Sequence, residues 1–110
     1  MSEQTENRPV HLADADELDG FVADHDRALV EFYTEGCAIC QSMEPVLSNV
    51  ARATGIPVGV VNPRDDPPLV DRFRVQSVPV LVVFEDGEPV ARKADGFVGA
   101  DDLVGFVETA

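Results

Sequence analysis

Residues 31–40 read EFYTEGCAIC, and they end an apolar run that starts at Ala28. The run is nearly continuous in apolar character, as expected of a strand covered on both faces. Glu31 interrupts it. With a period of two, Leu29, Glu31 and Tyr33 share one face and Val30 and Phe32 the other. At a sheet edge such a carboxylate would reach water. In a central strand an unpaired charge is costly and is usually neutralised by a raised pKa. Beyond the two cysteines, Ile39, Met43, Val46, Leu47 and Val50 fall on one helical face. Cys37 is therefore expected at the start of a helix, just past the carboxyl end of a central strand, with Cys40 almost one turn further in.

Working outward, the apolar period changes repeatedly. Pro9 to Leu12 is a short strand candidate, and Asp14 is the expected N-cap of a helix through Ala23 that carries Leu18, Phe21 and Val22. Pro45 lies inside the helix after the cysteines and should bend it. Gly55 closes that helix, Ile56 to Val61 forms the next strand, and Pro67–Pro68 open a short helix through Phe73. Val80–Phe84 and Pro89–Ala94 flank Glu85-Asp-Gly-Glu88, a hairpin signal, and Asp101 is expected to cap a final helix. The order βαβαβαββα implies an α/β fold with a mixed sheet and helices on both faces. Residues 1–8 read as a flexible N-terminal tail and 9–110 as one domain.

Composition limits the partners. Twenty-one acidic residues face eight basic ones, a formal net charge of -13, and Lys93 is the only lysine. Such a surface repels nucleic acid and anionic lipid, both of which require cationic patches. The acids are scattered over loops and helix faces, which favours general solvation over one cationic partner. This pattern resembles that of proteins working in concentrated salt, where screening is short-ranged. The polar MSEQTENRP start and the shortness of the apolar run Val78–Phe84 suggest neither export nor membrane insertion, so a cytoplasmic protein is expected.

The cysteine pair admits three readings: electron exchange, metal binding or a structural loop. A metal needs two more ligands, and the only histidines, His11 and His25, lie in other elements without characteristic spacing. A permanent bridge is unusual in a reducing compartment. A helix start, by contrast, favours a thiolate through its free N–H groups and dipole, and thiolate is the attacking species. The spacing also allows the second sulfur to resolve a mixed disulfide formed by the first. A redox dithiol is the reading these arguments favour. A redox-sensing or binding module, switched by the dithiol without turnover, is the alternative.

ALVEFYTEGCAIC, Pro45 five residues past the second cysteine, and Ser77-Val-Pro-Val-Leu-Val-Val-Phe84 with its Asp-Gly turn together resemble the thioredoxins over about residues 9 to 109. The resemblance implies a sheet ordered 1-3-2-4-5, with its first three strands parallel and its last two antiparallel to them. It implies that Cys37 is the exposed nucleophile, Cys40 the buried resolving thiol, and Glu31 the acceptor of the Cys40 proton. Val78–Pro79 would be a cis peptide beside the pair, with Val78 pairing to an extended substrate segment. Gly36, Ala38 and Ile39, where the family usually has Trp, Gly and Pro, would shape substrate choice. Tyr33 stands for another common tryptophan and Val60 for a lysine near the buried acid, so Glu31 is expected to have a raised pKa. The activity implied is that of a monomeric protein-disulfide oxidoreductase. It would bind no cofactor, act on disulfide-containing proteins and take electrons from a separate thioredoxin-type reductase.

Overall fold

The computed structural model describes residues 8–110. Except for Arg8, the expected tail therefore lies outside the described residues. The chain runs β1 (Val10–Leu12), α1 (Ala15–Ala23), β2 (Arg27–Phe32), α2 (Ala38–Thr54), β3 (Val58–Val61), a 3-10 turn (Pro63–Asp65), α3 (Pro68–Arg72), β4 (Val80–Glu85), β5 (Glu88–Lys93) and α4 (Ala100–Thr109). The five strands form one sheet in the order β1-β3-β2-β4-β5. β1, β3 and β2 are parallel, and β4 is antiparallel to β2. One expectation is corrected here. β5 is antiparallel to β4 and so runs in the same sense as β2, because a hairpin reverses direction at its turn.

Strand alternation divides the core into two layers. Ala28, Val30 and Phe32 of β2 and Val80, Val82 and Phe84 of β4 pack with Leu18, Val22, Leu69 and Phe73 of α1, α3 and the residue after it. Leu29, Leu81 and Val83 face the other way, against Met43, Leu47 and Val50 of α2 and Leu103 and Val107 of α4. Glu31 alternates with Leu29 and belongs to this second face. β2 is central, with a strand on each side, and its two faces pack into different layers, so the run that looked doubly covered in sequence is doubly covered in space.

Local chemistry fixes most boundaries. The Asp14 side chain accepts from the Glu17 amide and caps α1. Gly55 ends α2 in a left-handed conformation. Asp86 and Gly87 both have positive φ, as a tight two-residue hairpin requires. The start of α4 differs from expectation. Gly99 is the N-cap, without a side-chain bond, and Asp101 lies in the first turn. The helix begins earlier because the Leu103 amide bonds to the Gly99 carbonyl, and Asp101 and Asp102 then act on the dipole rather than as caps.

Candidate active site

β2 sits in the middle of the sheet, and its carboxyl end leads through Tyr33–Gly36 into α2. Gly36 has φ +79, and a Cβ there would meet nothing within 4 Å, so the turn needs glycine for its backbone and not for space. Cys37 is the N-cap of α2. Its Sγ accepts from the Cys40 amide at 3.1 Å, the place usually filled by a serine or aspartate oxygen. The first turn of α2 contains no acidic residue, so no carboxylate there opposes negative charge on this sulfur.

Cys37 and Cys40 are joined in a disulfide, with Cα atoms 5.2 Å apart. The two sulfur-bearing residues differ in access: Cys37 is half-buried, whereas Cys40 is buried at 4% exposure. Ala38 and Ile39 between them are exposed, Ile39 at 46%, a large apolar side chain presented beside the pair. The Val78–Pro79 bond is cis and lies immediately before β4. Since Val80 pairs with Phe32, this peptide is at the same end of the sheet as the cysteines. A further apolar side chain, Phe97, is 55% exposed in the loop before α4, which the Val98 amide ties to Met43 Sδ of α2 at 3.4 Å. Sequence reasoning had not singled out Phe97. Its signal would have been a large aromatic within the loop segment Asp95-Gly-Phe-Val-Gly99.

Glu31 is 2% exposed, and its Oε2 has no hydrogen-bond partner. It lines a cavity of about 500 Å³ together with Cys40, Tyr33 and Val60. Burial, and secondarily the Glu44 carboxylate, raise its pKa from 4.5 to about 8. Val60 is its neighbour on β3, so the position where the resemblance expects a lysine holds no charge. The direction of the shift was expected; the part played by Glu44, on the exposed side of α2, was not. Among the described residues no three His, Cys, Asp or Glu side chains group as metal ligands.

The thioredoxin family model matches residues 9–109. The chain belongs to the thioredoxin family. A thioredoxin of Mycobacterium tuberculosis is 30% identical over 94 residues, covering 84% of this chain and 81% of its own. One from Chlamydia caviae is 30% identical over 99 residues, covering 89% and 95%. Among solved structures, a mutant thioredoxin from Halobacterium salinarum superposes with a TM-score of 0.88 at 32% identity, covering 94% of this chain and 91% of that one. This thioredoxin-family protein is a thiol–disulfide oxidoreductase with a CxxC pair at disulfide distance. Its family acts on disulfide substrates and is recharged by a reductase. Among the described residues no helix is long and apolar enough to cross a membrane.

Proposed function

We propose that this protein, with residues 9–110 folding as one domain, is a monomeric cytoplasmic protein-disulfide reductase in which Cys37 attacks and Cys40 resolves. The observation that carries this reading is the asymmetry of the pair. Cys37 is the more accessible sulfur and caps a helix start, while Cys40 is buried beside a carboxyl group. A Cys37 thiolate displaces one sulfur of the substrate disulfide and forms a mixed disulfide. Cys40 gives its proton to Glu31 and attacks Cys37, releasing the second substrate thiol. A carboxyl group with a pKa near 8 suits this work, since it can both hold and yield a proton near neutral pH.

Val78 and Pro79 form one wall for the substrate chain, and Gly36, Ala38 and Ile39 the other. Without a bulky side chain at Gly36, the groove is open on that side, and Ile39 offers the apolar contact. Electrons come from a thioredoxin-type reductase. The test is dithiothreitol-driven reduction of insulin disulfides at several salt concentrations. A rate well above dithiothreitol alone is expected, and a rate no greater than that control at every salt concentration would overturn the reading. Cys40→Ser should retain many proteins as mixed disulfides through Cys37. A single noncovalent partner instead would indicate a redox-sensing module.

A further inference from the structure

The cavity beside Cys40 contains groups that disulfide exchange itself leaves unused. Register sets His11 of β1, Val60 of β3 and Glu31 of β2 in one row across the sheet. Tyr33, two residues past Glu31, faces the same way. The Tyr33 hydroxyl and His11 Nε2 share a hydrogen bond of 2.9 Å. His11, Tyr33, Glu31 and Cys40 all line the same cavity. Its two ends differ: Glu31 is buried at 2% exposure, whereas His11 is exposed to solvent.

A buried acid that takes a proton in each cycle must also lose it, and Glu31 meets bulk water only by way of the cavity that Tyr33 and His11 line. We propose that Tyr33 and His11 form the route by which the proton taken from Cys40 leaves Glu31 for solvent. This rests on the reading that Glu31 accepts that proton. During resolution the Cys40 proton moves to the Glu31 carboxylate, and the Cys40–Cys37 bond forms. The Cys37–substrate bond breaks, with its electron pair leaving on the substrate sulfur. Glu31 then passes its proton through cavity water to the Tyr33 oxygen, as Tyr33 gives its own to His11 Nε2. His11 discharges a proton from Nδ1 to solvent and is left as the Nε2–H tautomer, and proton exchange of the exposed ring with water restores the Nδ1–H form for the next cycle.

The surroundings suit each step. A water occupies roughly 30 Å³, so the cavity has room for the bridging molecules. Burial first, then the carboxylates of Asp65, Glu35, Glu31 and Glu44, raise the Tyr33 phenol above its ordinary pKa, so it stays protonated and gives up its proton only as it receives one from Glu31. Glu35 and Glu44 also face the cavity, as does Arg8 from the segment before β1. Imidazole is the side chain best matched to taking and releasing protons near neutral pH.

The test measures kcat for insulin reduction at pH 7 in weak buffer, comparing wild type with His11→Ala, His11→Gln, Tyr33→Phe and Glu31→Gln. Each His11 variant and Tyr33→Phe should be slower by about tenfold or more. Added imidazole should restore His11→Ala. His11→Gln keeps a hydrogen-bond acceptor for Tyr33, so a merely structural role would leave its rate at the wild-type value. Wild-type rates in the His11 variants, or a loss in His11→Ala that imidazole does not repair at an unchanged melting temperature, would overturn the route. If Glu31→Gln is slow and the His11 variants are not, only the exit fails. If Glu31→Gln is as fast as wild type, the reading of Glu31 fails with it.

Discussion

Glu31 ties stability to the pH at which the protein works. Its carboxyl group has a pKa of about 8 in the fold, against 4.5 when unperturbed. Below the lower value both folded and unfolded chains carry the proton, and this group contributes no difference. Between the two values the unfolded chain releases the proton while the fold retains it, so stability falls as pH rises. The loss is complete above about pH 8 and amounts to roughly 5 kcal/mol. Thermal melts between pH 5 and 9 should show this decline in wild type and a flatter profile in Glu31→Gln. Equal slopes in both proteins would contradict the assignment. The burial of Glu31 was legible from the alternation of β2. The contribution of Glu44 and the Tyr33–His11 bond were not, since both depend on contacts between elements far apart in sequence. In the sequence His11 was only a histidine in another element without ligand spacing, until register set it in the same row as Glu31.

At the scale of elements, the turn into α2 and the helix itself hold the cysteines in place. Gly36 has a positive φ that side chains disfavour and open space around its Cα. Gly36→Ala should therefore cost roughly 1–2 kcal/mol through the backbone alone, measurable by denaturant unfolding. A neutral result would mean that the turn relaxes. α2 is pinned by Met43, Leu47 and Val50, all fully buried, and Leu47 also lines the cavity. Leu47→Ala should destabilise by about 2–5 kcal/mol and enlarge that cavity. The helix was plain in the sequence because its apolar stripe repeats over several turns and Gly55 closes it. The start of α4 was less plain. Aspartate is a strong cap, but Val98 and Leu103 are both buried, and their anchoring moves the first turn to Ala100. The sense of β5 follows from the hairpin turn and not from any feature of β5 itself.

Across the whole molecule the charge is the dominant feature. The net charge is -13, yet among the described residues only three ion pairs form, Arg27–Glu85, Arg72–Asp19 and Lys93–Asp95. Exposed pairs of this kind contribute about 0–1 kcal/mol each, too little to offset repulsion among the remaining acids. Concentrated salt shortens that repulsion to about 3 Å at 1 M. The melting temperature should therefore rise by several degrees between low salt and molar potassium chloride. An indifferent melting temperature would remove the case for a protein adapted to salt. The acid excess was fully legible in composition. How little of it is paired required the fold, because Arg72 and Asp19 meet only once α1 and α3 pack on the same sheet face.

Activation of the Cys37 thiol is the claim on which the rest depends. Fully reduced protein should be alkylated with iodoacetamide over a range of pH, with the label located by peptide mass spectrometry. Cys37 should react first, with an apparent pKa at least one unit below the free-thiol value of about 8.5, and Cys40 should stay protected. Labelling of Cys40 first, or a Cys37 pKa at or above that free value, would contradict the account.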